Sequence, residues 1–319
     1  MINRYWNSNG LINFLVLPLS FIYLLLIKIY QIIKNEKSCN IPVICVGNLI
    51  MGGAGKTPTV IKIRKMLADK FTEIFVLTRG YKGKEKGPLL VKNNLSFLSV
   101  GEESLLHSKR GTTCVSKNKF AGAKYCESKG CDLLIMDDGL QSIDIKKNCR
   151  VLVIDANYSF GNKKIFPAGP LRETINEGLR KSDIILIIGS KNILENMKKI
   201  SKEKVFLARK VIKYKKILNK NLFVFSAIGN NDNFHYSLKN DGFKIKRFIK
   251  FPDHHVFKNA DLSGIIEEAK KYNLSIVCTE KDYIKVPSFF KKFINPIWLD
   301  LEIDKERLFK RKILAILKS

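Results

Sequence analysis

A glycine-rich turn near residue 50 carries the residue types that hold phosphate. Residues 51–60 read MGGAGKTPTV and follow the short apolar run Val43–Val46. A strand, a glycine loop and a helix in that order bring backbone N–H groups and a helix N-terminus together around an anion. The predicted nucleotide-binding segment is therefore Gly52, Gly53, Ala54, Gly55, Lys56, Thr57 and Pro58.

Two side chains of this segment have direct roles in phosphoryl chemistry. Lys56 is predicted to reach the β- and γ-phosphates of a nucleotide, and the Thr57 hydroxyl is a predicted Mg²⁺ ligand. The full phosphate-loop pattern places a glycine where this chain has Ile50, so the loop is a variant of that pattern. A glycine turn formed by chance is the alternative interpretation.

Two adjacent acids end a second apolar run. Asp137 and Asp138 follow Leu133–Met136 in the stretch LLIMDDGLQ. The carboxyl end of a strand is where a parallel α/β sheet presents its ligands, and a carboxylate there holds Mg²⁺ directly or through water. Neighbouring residues of an extended chain point in opposite directions. We therefore expect one acid to face the metal and the other to orient water, a partner or the substrate, unless the pair simply opens a turn before Gly139.

The elements that must position these residues are predicted from short apolar runs separated by helix-sized segments. Such runs are typical of parallel strands covered on both faces, so we predict an α/β fold with a P-loop, doubly wound, mostly parallel sheet over residues 35–212. A second, smaller α/β domain is predicted over residues 213–319, with a helix at Asp261–Lys271. The predicted strands are Val43–Val46, Ile74–Leu77, Leu133–Met136, Val151–Ile154, Ile184–Ile188, Val205–Leu207, Leu222–Phe225, Ile276–Cys278 and Ile297–Leu299.

The N-terminus is apolar. Leu11–Ile27 contains no charged residue, and as a helix it would be roughly 25 Å long, slightly short of a ~30 Å hydrocarbon core. Lys28, Lys34 and Lys37 follow it, which by the positive-inside rule places the rest of the chain in the cytoplasm. We predict a membrane-anchor helix within residues 1–34. A secretory signal and a buried core helix are the alternatives.

Composition narrows the range of partners. The chain has 57 Lys and Arg against 29 Asp and Glu, a net charge of +28, which favours acidic partners unless it only reflects compositional bias. The lysines are spread along the chain without the interleaved aromatic residues of single-strand binders, so nucleic acid is not expected as a partner. The seven cysteines form no C-x-x-C pair, which argues against a disulfide framework or a zinc site.

Eight segments together resemble one family, the tetraacyldisaccharide 4′-kinases (lipid A 4′-kinases) of Gram-negative bacteria. The resemblance runs from about Pro42 to Asp282. It implies that ATP and Mg²⁺ are used to phosphorylate the 4′-hydroxyl of an acylated glucosamine disaccharide 1-phosphate. It also implies that the enzyme acts at the lipid surface of the inner membrane, on the cytoplasmic face. The segments, in chain order, are VGNLIMGGAGKTP, TRGYKGK, VGEES, MDDGLQ, FGNKKIFPAGPLRE, FSAIGN, FPDHH and TEKD.

The same resemblance implies the catalytic pair. The family's acid in VGDE, which acts with the first His of its DH motif, falls here on Glu102, with His254 as its partner. Glu102 is one methylene longer than the family's Asp, and a base displaced by about 1 Å can cost about a hundredfold in rate unless the backbone compensates. A turn carrying surface histidines is the alternative interpretation of the DHH sequence.

Other motif residues are candidates for substrate contacts. Arg79 and Arg172 offer guanidinium forks to phosphate oxygens, although either could be an ordinary surface residue. Gln141 is a candidate for ordering the metal or the sugar, but Ser142 follows it where the family has His. Asp282 is expected to support the smaller domain, and Lys281 and Lys285 to face the cleft as candidate substrate contacts.

Two other functions remain open at this point. A membrane-associated P-loop ATPase switch would act on a protein partner, and a nucleic-acid-binding ATPase would be stimulated by polynucleotide. Dependence of ATP turnover on a glycolipid acceptor separates the kinase from both.

Overall fold

The computed structural model describes Trp6 and residues 10–53, 55–189, 202–215 and 219–318. The chain divides into two compact units. The larger unit combines Ile2–Lys210 with Leu301–Ser319, and the smaller one is Val211–Asp300.

The larger unit is built on a mostly parallel sheet, as predicted. The strand order is β8-β7-β6-β1-β5-β2-β4-β3, and only the β3–β4 pairing is antiparallel. All six runs predicted as strands in this part of the chain are strands. The strands are β1 (Val43–Gly47), β2 (Ile74–Thr78), β3 (Leu89–Leu90), β4 (Thr113–Val115), β5 (Leu133–Asp137), β6 (Cys149–Asp155), β7 (Ile184–Ile188) and β8 (Val205–Tyr214).

Helices cover both faces of this sheet. Successive residues of β1 belong to different cores, Val43 and Cys45 to one and Ile44 and Val46 to the other, because side chains alternate along a strand. Burial on both faces explains why these strands are continuous apolar runs. The helices of this part of the chain are α1 (Leu11–Leu15), α2 (Leu17–Ile33), α3 (Lys56–Leu67), α4 (Phe97–Val100), α5 (Glu102–Ser108), α6 (Lys119–Ser128) and α7 (Ile175–Lys181).

The strands of the smaller unit pair in parallel in the order β10-β9-β11-β12. The helix predicted at Asp261–Lys271 is present and begins two residues earlier, at Asn259. The edge strand β10 was not predicted, because its sequence KIKRFIK is rich in lysine. The elements are β9 (Asn221–Ser226), α8 (Asn231–Asn240), β10 (Lys244–Lys250), α9 (Asn259–Lys271), β11 (Ser275–Thr279), α10 (Glu280–Lys285) and β12 (Ile294–Ile303).

The C-terminal segment belongs to the larger unit, which corrects the predicted domain range 213–319. The final helix, α11 (Glu306–Lys318), buries Phe309 and Ile313 in the core that contains Val60 and Ile63 of α3. Phe309 also packs edge-on against Phe206 at 5.1 Å between ring centroids. These buried apolar contacts hold the last residues on the larger unit.

The N-terminal apolar stretch forms two helices rather than the one predicted. The helices α1 and α2 meet at Val16, and Pro18, which has no N–H to donate, lies in the first turn of α2. Within the described residues, no helix combines the length and the apolar character needed to cross a membrane.

Two polar residues of these helices, Asn13 and Ser20, face the protein. Asn13 Nδ2 donates to the Ala168 carbonyl at 2.8 Å, and Ser20 Oγ donates to the Ile165 carbonyl at 2.9 Å. Both polar side chains are buried, whereas Phe14 and Phe21 are 67% and 74% exposed. The helices therefore present their apolar side outward, the reverse of an ordinary surface helix.

Candidate active site

The predicted phosphate loop connects β1 to α3. Gly55 caps α3 in the left-handed conformation, with φ of +80°, and a Cβ there would lie 2.4 Å from Ile188 Cδ1. Both facts require glycine at this position. Ile50, which stands where the motif has glycine, is buried and forms an isolated bridge with Leu171. Ala54 lies outside the described residues.

Lys56, the first residue of α3, points back over this loop. Its Nζ donates to Asn48 Oδ1 at 3.1 Å and to the Gly52 carbonyl at 3.2 Å, and lies 3.6 Å from Asp138 Oδ2. The ammonium group is thus held between the loop and Asp138, which directly follows β5, a strand that pairs with β1. An anion bound by the loop would meet a positive charge already in place.

Thr57 connects the loop to the first of the two acids. Thr57 Oγ1 donates to Asp137 Oδ2 at 3.2 Å, and His107 Nε2 lies 2.8 Å from the same oxygen. The other oxygen, Asp137 Oδ1, is buried and has no hydrogen-bond partner among the described residues. A buried carboxylate oxygen without a partner is costly, which marks it as a position for a cation or a donor.

The second acid, Asp138, is held by an arginine. It has a left-handed backbone, with φ of +61°, and receives hydrogen bonds from Arg172 Nη1 at 2.7 Å and Nη2 at 3.2 Å. Burial by itself raises the pKa of Asp138, but the charges of Lys56 and Arg172 outweigh burial and hold this pKa at about 2. Asp137 and Asp138 therefore have different partners, as the alternation of side chains predicted.

Gln141 links these groups to a further acid. Its Nε2 donates to the Asn48 carbonyl at 3.0 Å and to Glu173 Oε1 at 2.7 Å, and its Oε1 accepts from Arg172 Nη1 at 3.3 Å. Glu173 is buried and also pairs with Lys181. Two of the three predicted substrate residues, Gln141 and Arg172, thus lie beside Asp138, whereas Arg79 is exposed after the end of β2.

A buried lysine stands near the two acids. Lys119, at the start of α6, is 4% exposed, and its Nζ has no hydrogen-bond partner in the part of the chain that the structure describes. Burial lowers the pKa of Lys119, while the charges of Asp138 and Asp137 act in the opposite direction. An unpaired ammonium near a phosphate loop is suited to a ligand with negative charge.

The two residues of the predicted catalytic pair belong to different units. Glu102 is buried and begins α5, directly after Gly101, whose φ is +85°. His254 lies in the smaller unit, where its N–H donates to the Ala227 carbonyl at 3.1 Å. The prediction that Glu102 and His254 act together stays a prediction.

Three motif segments of the smaller unit meet at Ala227. Asp282 Oδ2 accepts from the Ala227 N–H at 3.1 Å and from Thr279 Oγ1 at 2.7 Å, so Asp282 supports this unit as expected. Lys285 does not face a cleft as predicted: it is buried and lies 2.9 Å from Asp282 Oδ1. The contact with Asp282 offsets part of the cost of burying the Lys285 side chain.

A cavity of about 430 Å³ opens beside Gln141. It lies where the end of α2 approaches the β5–β6 connection. Its charged lining consists of Lys34, Glu36, Lys147, Arg150 and Lys181. These four cations pair with three carboxylates, Asp144, Glu36 and Glu173, so the surroundings of the cavity keep a small excess of positive charge.

Sequence reasoning missed four residues of the site. Asn48 and Glu173 stand within or beside recognised motifs, so their position in those segments was an available signal. His107 and Lys119 had no such signal, because a single His or Lys on a short helix gives no indication of what it contacts. Among the described residues, no group of three or more His, Cys, Asp or Glu converges as a metal site.

Comparisons with known proteins agree with this geometry. Residues 12–318 match the family described as tetraacyldisaccharide-1-P 4′-kinase, LpxK. A tetraacyldisaccharide 4′-kinase of Bartonella quintana is 32% identical over 307 residues, covering 94% of this chain and 89% of the relative. Another, of Paramagnetospirillum magneticum, is 32% identical over 313 residues, covering 95% of each chain.

Similarity to a solved structure supports the same assignment. A crystal structure of LpxK from Aquifex aeolicus in complex with ATP has a TM-score of 0.77 and 25% identity, covering 96% of this chain and 100% of that one. The chain belongs to the tetraacyldisaccharide-1-P 4′-kinase family.

Proposed function

We propose that this protein transfers the γ-phosphate of ATP to the 4′-hydroxyl of a tetraacyldisaccharide 1-phosphate, giving the 1,4′-bisphosphate of lipid A biosynthesis. The observation that carries the proposal is the convergence of Lys56, Thr57, Asp137, Asp138 and Arg172, within a chain that matches this kinase family over residues 12–318. The alternative of an ATPase switch acting on a protein partner has no support from the family assignment.

The nucleotide is assigned to the loop between β1 and α3. The backbone N–H groups at the start of α3 point toward a bound phosphate, and Lys56 is held over the loop by Asn48 and Gly52. In this arrangement Lys56 exchanges its contact with Asp138 for the β- and γ-phosphates. Lys119 adds a second positive charge on the side of the acids.

The residues of this site fit a Mg²⁺ ion. Thr57 Oγ1 and the unpartnered Asp137 Oδ1 are oxygen ligands of the kind that Mg²⁺ takes, and Asp138 is an ionised carboxylate beside them. One or two carboxylates with substrate phosphates are the usual protein contribution to such a site. When bound, the ion neutralises charge on the phosphates of the nucleotide.

Glu102 is assigned as the base that accepts the proton of the acceptor hydroxyl, and His254 as the residue that orients Glu102. Support comes from the family resemblance of VGEES and FPDHH and from the burial of Glu102 at the first turn of α5. The helix ends of α3 and α5 belong to the same unit, so the base and the phosphate loop share one scaffold.

The acceptor head group is assigned to the side of Gln141. Gln141 is hydrogen-bonded to Arg172 and also lines the cationic cavity, so that the sugar can contact the phosphate site while an anionic substituent enters the cavity. Arg150 and Lys34, which pair with Glu36 and Asp144 in the structure, would exchange these partners for the 1-phosphate.

The helices α1 and α2 are proposed to bind the cytoplasmic face of the inner membrane. Asn13 and Ser20 are hydrogen-bonded to the protein, and the apolar side chains of Phe14, Phe21 and Ile32 are exposed on the outer side. A surface of this kind, with lysines following it, suits an anionic lipid leaflet. An acceptor with four acyl chains stays in that leaflet.

A direct assay tests the function. Purified protein is incubated with labelled ATP and a disaccharide 1-phosphate lipid, and a bisphosphorylated lipid is the expected product. The Lys56→Ala variant should lose at least about a hundredfold in rate while keeping its fold, because Lys56 contacts phosphate rather than the core. ATP turnover that is indifferent to the lipid would overturn the proposal.

A further inference from the structure

We propose that His107 is the positioning residue for Asp137, and that it fixes which carboxylate oxygen is presented to the cation of the nucleotide site. The inference rests on the proposed function, since it assigns a role within the same site. The residue was given no role by its sequence, and the structure places it against one of the two acids.

The contact between the two side chains is short and enclosed. His107 Nε2 lies 2.8 Å from Asp137 Oδ2, and both side chains are nearly inaccessible, at 1% and 3% exposed. A carboxylate oxygen only accepts, so Nε2 carries the hydrogen and donates it. Hydrogen bonds to a charged group in such surroundings are stronger than those on the surface.

The contact also makes the two carboxylate oxygens of Asp137 different from each other. Oδ2 receives His107 and Thr57, whereas Oδ1 has no hydrogen-bond partner within the described ranges. Without His107, rotation about the Cβ–Cγ bond of Asp137 would exchange the two oxygens or turn both away. With His107 in place, Oδ1 remains the open ligand.

The helix that carries His107 is itself fixed from the same side. Ser104, one turn earlier on α5, shares a 2.7 Å hydrogen bond with Thr78 Oγ1 at the end of β2. The first turn of that helix holds Glu102. The bond from His107 to Asp137 therefore also ties the helix of the proposed base to the strand of the metal-binding acid.

Removing a residue that orients a metal ligand typically lowers the affinity for the metal by about 10- to 100-fold. We therefore expect His107→Leu to weaken binding of Mg²⁺ with nucleotide by about tenfold or more, with little change in nucleotide binding in the presence of chelator. His107→Gln places an amide N–H near the position of Nε2 and should restore most of the Mg²⁺-dependent affinity.

The test is calorimetric titration of the full-length protein with a non-hydrolysable ATP analogue, with Mg²⁺ or with EDTA. Ser104→Ala is the matched control, because it removes a buried hydrogen bond of the same helix without touching Asp137; it should lower the melting temperature and leave the Mg²⁺ effect intact. If His107→Leu does not fold, His107→Asn replaces it, since its shorter amide cannot reach Oδ2.

The outcomes separate the two proposals. An unchanged Mg²⁺ effect in His107→Leu or His107→Asn overturns the role of His107 alone. A loss of equal size in Ser104→Ala also overturns it, because the effect would then come from helix packing. A wild-type protein that binds no nucleotide overturns the proposed function itself.

Discussion

Arg172 donates to both carboxylate oxygens of Asp138, at 2.7 and 3.2 Å, and so joins the segment PAGPLRE to the end of β5. The same Nη1 reaches Gln141 Oε1 at 3.3 Å. Arg172 was predicted to clamp phosphate directly. In the structure it instead holds the carboxylate of Asp138 beside Lys56.

This relationship predicts that Arg172→Lys is not a conservative change. Lysine keeps the charge but cannot form the two parallel bonds, so Asp138 should lose its fixed orientation. We expect at least about a tenfold loss in kcat, measured as phosphate transfer at saturating ATP. The exposed Arg209, paired with Glu302, provides a control arginine whose change to Lys should leave kcat as it was; equal rates in wild type and Arg172→Lys would contradict the assignment.

Glu102→Gln should lower turnover much more than the affinity for the acceptor. The amide keeps nearly the same volume in a buried position but cannot accept the proton of the hydroxyl. Steady-state kinetics with varied acceptor separates kcat from KM. A kcat within a factor of two of wild type would remove Glu102 as the base.

Lys119→Met should make the protein more stable and less active. Burial lowers the pKa of Lys119 below its ordinary 10.5, so keeping it charged costs folding energy, and an apolar replacement should gain roughly 1–4 kcal/mol near neutral pH. The same change removes a charge that we assign to the bound phosphates. Urea unfolding together with ATP titration measures both effects.

The pH dependence of this gain has a definite sign. The free-energy cost of burying the charged Lys119 is complete below the lowered pKa of this residue in the folded state. It disappears as the pH rises from there toward 10.5, the pKa of the lysine in the unfolded chain. The stability difference between Lys119→Met and wild type should therefore shrink at alkaline pH. A difference that grows with pH would contradict the assignment.

The double substitution of Phe21→Glu and Leu25→Glu should release the protein from membranes. Both side chains are exposed, at 74% and 53%, so the fold should tolerate the change. Flotation with vesicles that contain anionic lipid measures the bound fraction. The control is Tyr236→Glu, an exposed aromatic of the smaller unit, which should bind as wild type does; undiminished flotation of the double variant would place the contact on another surface.

Arg150→Ala should raise the KM for an acceptor that carries the 1-phosphate by about tenfold, because a charge-assisted contact is lost. An acceptor without that phosphate should show no such rise. Lys146, an exposed lysine of the same connection that does not line the cavity, is the matched control for general charge effects. A rise with both acceptors would point to a disturbed fold.

The strands were predicted from local signals, and the structure has a strand at each predicted run. The roles predicted for the loop from Gly52 to Thr57 and for the acids at the end of β5 depend on the same kind of local signal, and they stay predictions. The contacts of His107 with Asp137 and of Arg172 with Asp138 join residues 30 and 34 positions apart. Such pairings depend on tertiary packing, which no local pattern encodes.

The domain limits failed for a related reason. The helix at residues 306–318 has a clear apolar face, but such a face does not indicate which core it will cover. Phe309 and Ile313 cover the core of the nucleotide-binding unit rather than that of the unit preceding them in the chain.

The return of the chain at Leu301 has a consequence for synthesis on the ribosome. The larger unit cannot complete its core until α11 has left the ribosomal exit tunnel. All residues of the smaller, inserted unit leave the tunnel before that helix does. A stop codon shortly before Phe309 should therefore leave a nascent protein with its insertion folded and its nucleotide-binding half incomplete, a target for cellular proteases.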